Sequence, residues 1–282
     1  MKRINTTQRS LGIQIAVLLL LLSSCTSGEQ ETGIGRPLEV TAEIATSVTR
    51  ATDAHDSDYD KRTFVANDQI NIYSGASASG SATVYKYSDS GSTSKWLPNT
   101  GGDGITITTE NETYTASFPT TFSEIKQDQT TPTAFWESNQ LISSKAAVGN
   151  RVDFVFAPAA AKITINVEYA SITTGNGIKL EGNSLRTDGG TNETIQLLPV
   201  TASGTNHTYI GIIRANAGTV YQITVSAGGI DKSYAQSSIK LEAANNYIYN
   251  FTSTNKLILN SVNVTPFASD GSAESGGDLN AT

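Results

Sequence analysis

Apolar residues recur at every second position along much of this chain. The alternation is clearest at 38–51, where Leu38, Val40, Ala42, Ile44 and Val48 face Glu39, Thr41, Glu43, Ser47 and Thr49, with Thr46 the one break. Period two places one set on the buried face of a strand and the other toward solvent. A polar stretch follows at 51–62, with Arg50 at the boundary. The strand is built to be buried, yet an exposed basic bond behind it would let a protease separate it from the rest. The plain alternative is an ordinary first strand and loop.

Downstream, candidate strands fall at 64–73, 82–87, 105–108, 114–118, 135–142, 152–156, 162–169, 178–180, 194–198, 208–214, 220–227, 238–241, 247–252 and 257–264. Gly/Ser/Asn-rich turns at 74–81, 98–104 and 187–192 separate them. Many short strands between such clusters predict an all-β sandwich protein. No stretch of helical length repeats with a 3.6-residue period. At Ala157-Pro158-Ala159-Ala160-Ala161 the alternation stops, then resumes with Ile163, Ile165 and Val167 inward. Proline removes a ladder donor, so a domain boundary is expected near Pro158. The expected division is an N-terminal sandwich at 38–158, a C-terminal sandwich at 159–267 and a tail at 268–282.

The first residues change the picture from fold to location. Lys2, Arg3 and Arg9 precede an apolar run at 11–22. A bilayer span takes roughly 20 apolar residues, so the run reads as a signal peptide, residues 1–24. It ends on Leu22-Ser23-Ser24-Cys25, the layout of a bacterial lipobox in which Cys25 carries the lipid and becomes the mature N-terminus. Residues 25–37 read as a lipidated tether, with an end-to-end distance of about 20 Å if flexible. Glu29 and Glu31 are similar to acidic surface-export signals of lipoproteins. Cys25 is the single cysteine, so no disulfide forms within the chain.

Removing Lys2, Arg3 and Arg9 leaves 16 of the 19 basic residues against 26 acidic ones, a mature net charge of −10. That balance opposes binding to nucleic acid and to anionic head groups. Candidate chemistry is sparse. His55 and His207 are the only histidines, which excludes His-rich zinc sites and a Cys–His pair. Ser123-Glu124-Ile125-Lys126 has the Ser-x-x-Lys spacing of penicillin-recognising enzymes, without the partner Ser-Asp-Asn and Lys-Thr-Gly motifs. Asp56, Asp58 and Asp60 begin like a calcium loop, but Lys61 stands where glycine is required and Asn67 where the bidentate glutamate should be. Asn-x-Thr sequons at Asn111, Asn192, Asn206, Asn250 and Asn263 follow from composition. Trp96 and Trp136 are expected to fill cores. No catalytic residue, metal or cofactor is assigned.

Several segments, taken in order, resemble the fimbrillins, the pilin family of type V pili with its Mfa-like members. Asn67-Asp-Gln-Ile-Asn-Ile-Tyr73 resembles an early Gly-Asp-x-Ile-x-Val-Tyr strand, with Asn67 for glycine. Tyr114-Thr-Ala-Ser-Phe-Pro119 resembles a Tyr-x-Ala-x-Tyr-Pro segment, and Val152 to Val167 the domain junction, without its common histidine. Asn246-Tyr-Ile-Tyr-Asn-Phe-Thr252 and Leu257-Ile-Leu259 resemble the final strands, with Phe267 near the family's terminal tryptophan.

The resemblance implies two tandem transthyretin-like sandwiches, export as a lipoprotein and a place in a fimbria at the outer membrane surface. It implies maturation by an arginine-specific protease between Arg50 and Ala51, with the Arg62–Thr63 bond as second choice. Loss of the groove-filling strand (Leu38, Val40, Ala42, Ile44, Val48) would then allow strand exchange. The candidate donor is the C-terminal region, with Ile258, Val262 and Val264 on one face, interrupted by Asn260, and the tail beyond. Expected partners are other fimbrial subunits in a homo- or heteropolymer, the outer membrane through the lipid, and a host or bacterial surface receptor. The alternatives are an uncleaved anchor or tip subunit, and a glycan-binding lipoprotein of a nutrient-uptake system.

Overall fold

The computed structural model describes residues 33–45, 61, 63–89, 94–99, 101–102, 104–171 and 174–266. Among the described residues there are sixteen strands and one helix, so the fold is nearly all-β. The first seven strands are β1 (Glu39–Ile44), β2 (Gln69–Ser74), β3 (Thr83–Asp89), β4 (Ser94–Pro98), β5 (Thr113–Phe118), β6 (Leu141–Ala146) and β7 (Arg151–Pro158). They close into a barrel in the order β1-β4-β3-β2-β5-β6-β7. Its core gathers Leu38, Val40, Ile70, Ile72, Tyr85, Trp96, Tyr114, Phe154 and Phe156.

The remaining strands are β8 (Ala161–Tyr169), β9 (Gly177–Gly182), β10 (Glu193–Gln196), β11 (Leu198–Ser203), β12 (Asn206–Ile213), β13 (Asn216–Ala227), β14 (Ile230–Leu241), β15 (Asn245–Ser253) and β16 (Leu257–Pro266). They form a four-stranded sheet, β10-β9-β13-β14, and a five-stranded sheet, β11-β12-β8-β15-β16. Ile163, Ile165 and Val167 from one sheet share a second core with Leu180, Ile223 and Val225 from the other, which makes this half a sandwich.

Five elements differ from the sequence reading. The 64–73 strand begins only at Gln69, because Asn67 takes a left-handed φ of 78°. The Asp68 carboxylate accepts from the Val65 N–H and closes a turn there. That conformation explains why asparagine substitutes for glycine in this motif, since both tolerate it. Phe64 instead turns inward, edge-on to Trp96, Phe118 and Phe156.

The 135–142 strand is partly a helix, α1 (Pro132–Ser138). The Thr131 hydroxyl caps it by accepting from the Ala134 N–H, and Pro132 opens it. Two strands went unread, β4 and β11. The 105–108 segment pairs only through Thr106, opposite Pro37.

Residues 119–140, between β5 and β6, cross from the barrel to the second core. Ile125 and Phe135 are buried there. Gln129, fully buried, binds one peptide of β12 with both ends of its carboxamide. Its oxygen accepts from the Ile212 N–H at 2.7 Å, and its nitrogen donates to the Ile212 carbonyl at 2.9 Å. β11 opposes β12 only as far as Leu198 and Ile210. The Gln129 amide thus serves in place of the strand that has ended.

Candidate functional site

The site built around β1 follows from its register. β1 runs parallel to β7 from Glu39↔Arg151 to Ile44↔Phe156. Val40, Ala42 and Ile44 therefore lie inward beside Val152, Phe154 and Phe156. Leu38, Val40 and Ile44 are buried and Ala42 is half-buried. Parallel pairing requires a long crossover, and here the whole barrel supplies it.

The outward positions are chemically matched. Glu39 stands opposite Arg151, and Thr41 opposite Asp153. The Thr41 hydroxyl donates to the Asp153 carboxylate, which also accepts from the Arg151 Nε at 2.7 Å. These two donors, the hydroxyl first, hold the Asp153 carboxyl below the usual carboxylate range.

The other seam is thinner. β1 pairs antiparallel with β4 only at Val40↔Trp96. Just before it, the Leu38 N–H donates to the Ile105 carbonyl. Gly104 makes this approach feasible. It has a left-handed φ of 72°, and a Cβ there would lie 2.5 Å from the Tyr85 hydroxyl. That hydroxyl accepts from the Ile105 N–H. Beside the seam lies a cleft of about 550 Å³, walled by Leu38, Val40, Leu97 and Arg151 among others. Trp96 also lines it, and its buried indole N–H has no partner among the described residues.

Of the residues singled out from sequence, Cys25, Val48, Arg50, Ala51, Arg62, Phe267 and the 268–282 tail lie outside the described residues, as do His55 and the Asp56–Asp58–Asp60 series. Thr63 is exposed. Lys61, just before the second-choice bond, is buried, 3.0 Å from the Asp68 carboxylate and over the Phe118 ring. Ser123 and Lys126 meet at 3.4 Å on the surface. Trp96 is buried in the barrel core, and Trp136 packs against the second core.

The C-terminal candidates require one correction. β16 is an edge strand, paired antiparallel with β15 from Ser253↔Leu257 to Asn245↔Pro266. A bulge at Asn260 lets Leu259 oppose Phe251 while Ser261 opposes Asn250. An extra residue reverses the faces on one side of it. Leu257 and Leu259, rather than Ile258, therefore join Val262 and Val264 against the second core, and Ile258 is exposed. Sequence reading missed Asp153 and Gln129 as well. Their partners lie about a hundred residues or nearly as far along the chain, and no local pattern announces them.

No family model matches the chain, and no curated protein matches it by sequence. Solved structures do. A candidate cell adhesion protein from Bacteroides ovatus superposes with a TM-score of 0.60 at 14% identity, over 82% of this chain and 98% of that one. A second, from Bacteroides uniformis, gives 0.51 at 15% identity, over 72% and 93%. The chain shares the fold of these proteins.

Proposed function

We propose that this chain is a structural subunit of a type V fimbria, exported as a lipoprotein through Cys25 and assembled on the cell surface with other fimbrial subunits. The barrel and the sandwich are its two domains, of transthyretin-like type, meeting near Pro158. The observation that carries the proposal is the setting of β1. It is a buried strand at the start of the fold, fully paired on one side and nearly unpaired on the other, followed within a few residues by Arg50. The shared fold with candidate adhesion proteins supports the same reading.

Burying Leu38, Val40 and Ile44 contributes roughly 1.5–3 kcal/mol each, an upper estimate. Whole domains are stable by only about 5–15 kcal/mol. A chain cleaved after Arg50 would carry an open apolar slot beside the free edge of β7, and such edges recruit strands. Within this chain the donor we propose is the C-terminal region. β16 is an edge strand, so it leaves its sheet without dividing it. The tail beyond offers only Phe267 and Leu279 as large apolar residues. Head-to-tail exchange does not close and so extends into a fibre. Lys61, held by Asp68 and Phe118, favours Arg50 over Arg62 as the cleaved position.

N-terminal sequencing of the protein taken from cells tests this. A start at Ala51 in surface polymers is the expected result. A full-length, lipidated start at Cys25 overturns the shaft role and assigns an anchor or tip subunit.

A further inference from the structure

A pocket of about 250 Å³ lies where the crossing segment, the Ala159–Ala160 corner between β7 and β8 and the β9–β10 loop converge. The chain is acidic overall. Yet of the four arginines among the described residues, Arg36, Arg151, Arg186 and Arg214, the last two both line this pocket.

Each guanidinium is better sheltered than its counter-ion. Arg186 is 17% exposed against 48% for Glu124, and Arg214 is 29% exposed against 88% for Asp188. Arg186 commits Nε to the Ile125 carbonyl and Nη2 to Glu124, and Arg214 commits Nη2 to Asp188. An arginine carries five N–H donors in a planar fork, so both retain donors for an incoming anion. Glu193 does not compete. Its carboxylate is taken by the backbone N–H groups of Arg186 and Thr187 and by the Thr187 hydroxyl. Ser123, which lines the pocket, accepts from the Lys126 Nζ at 3.4 Å.

Two further walls point to more than a bare anion. Gln140 lines the pocket, and its carboxamide makes no hydrogen bond among the described residues. Phe122 supplies an aromatic surface. Guanidinium forks match carboxylates, a free carboxamide matches ring hydroxyls, and an aromatic wall matches the C–H face of a sugar. The volume falls below the roughly 300–1,000 Å³ of sites for drug-sized ligands, which suits a single sugar unit.

We propose that this pocket binds one carboxylate-bearing sugar unit, a hexuronate or a nonulosonate, of a surface polysaccharide. The site does not depend on what becomes of β1.

The test uses the full mature chain, kept unlipidated by Cys25→Ser, as a monomer. Calorimetric titration compares galacturonate, N-acetylneuraminate, galactose and free glutamate. The expected result is millimolar binding of at least one acidic sugar, at least tenfold tighter than galactose or glutamate. Arg214→Gln and, separately, Gln140→Ala weaken it at least fivefold with an unchanged circular dichroism spectrum. Arg186 is spared because it also holds the Ile125 carbonyl. If Arg214→Gln loses its fold, Gln140→Ala decides. Acidic sugars binding no better than galactose, glutamate binding equally well, or variants that bind like the parent would each overturn the assignment.

Discussion

The Thr41 hydroxyl donates to the Asp153 carboxylate across the parallel seam that joins the first strand of the barrel to the last. Arg151 holds the same carboxylate from its own strand. The group's affinity for protons is lowered in the folded state, by Thr41 first and Arg151 second. A depressed carboxyl stabilises the fold at neutral pH. The contribution disappears as pH falls from the ordinary aspartate value, about 3.9, through the lower folded-state value. The ion pair is exposed, with side chains 57% and 60% accessible, so the effect is small. Thr41→Val is expected to cost at most about 1 kcal/mol at pH 7, and the difference from the parent in thermal melts should shrink as pH is lowered below the ordinary aspartate value.

Ile44 closes the inward face of β1 beside Phe156. Its truncation to alanine removes buried methyl groups that the neighbouring rings cannot replace. The expected loss in a urea titration of the uncleaved chain is about 2–3 kcal/mol, toward the lower end for such changes because the strand ends there. Ile44→Asp should cost more, since it buries an unpaired charge. Glu43→Ala, on the exposed face, should stay within about 0.5 kcal/mol.

Gln129 ties the crossing segment to β12 through both atoms of its amide. Gln129→Ala leaves the buried Ile212 N–H and C=O without partners, each at a cost of about 1–3 kcal/mol. Hydrogen exchange at the Ile212 amide should accelerate along with a lowered melting temperature. An unchanged exchange rate would mean that water replaces the carboxamide.

Period-two alternation made the all-β class and most strands legible, because a strand that buries one face must alternate. The failures share a cause. Asn67, Thr131-Pro132 and Asn260 are single residues that break a strand, cap a helix or insert a bulge, and each overrides the apolar pattern around it. The inward residues of β1 could be read directly. Its outward partner Asp153 could not, because only the parallel register brings it opposite Thr41. The arginine pocket was invisible for the same reason, its parts being drawn from four separate stretches of chain.

Tyr221 and Tyr249 face each other from opposite sheets of the sandwich, hydroxyl to hydroxyl at 2.6 Å and fully buried. Burial pushes both well above the ordinary tyrosine value; interaction with Tyr249 adds to the rise at Tyr221. Tyr221→Phe alone leaves the other hydroxyl unpaired and should cost about 1–3 kcal/mol. The double phenylalanine variant should recover part of that. The folded state keeps these protons while the unfolded chain releases them near pH 10, so stability falls as pH rises beyond that point. Alkaline denaturation followed by tyrosinate absorbance should show a shallower fall in the double variant.

The bulge at Asn260 yields the sharpest test of the C-terminal strand. Ser261 opposes Asn250 and Leu259 opposes Phe251, so Asn260 is the one residue without a place in the ladder. Its carboxamide donates to the Thr252 hydroxyl at the surface, at 2.9 Å. Deleting Asn260 would join Leu259 to Ser261 in regular alternation, with Leu257, Leu259, Val262 and Val264 still facing the core. The deletion is therefore expected to change stability by no more than about 1 kcal/mol, the worth of one surface hydrogen bond. Deleting Ser261 instead allows Asn260 to take its place, and should behave similarly. Deleting Ile258 puts Leu257 on the outward face and should cost several times more. Point variants separate the faces independently. Leu259→Asp places a charge against the sandwich core and should be severely destabilising, whereas Ile258→Asp, at a residue already 39% exposed, should be tolerated. Chemical denaturation of the five variants reads the order directly. Equal losses for Leu259→Asp and Ile258→Asp would show that the strand is not held in this register.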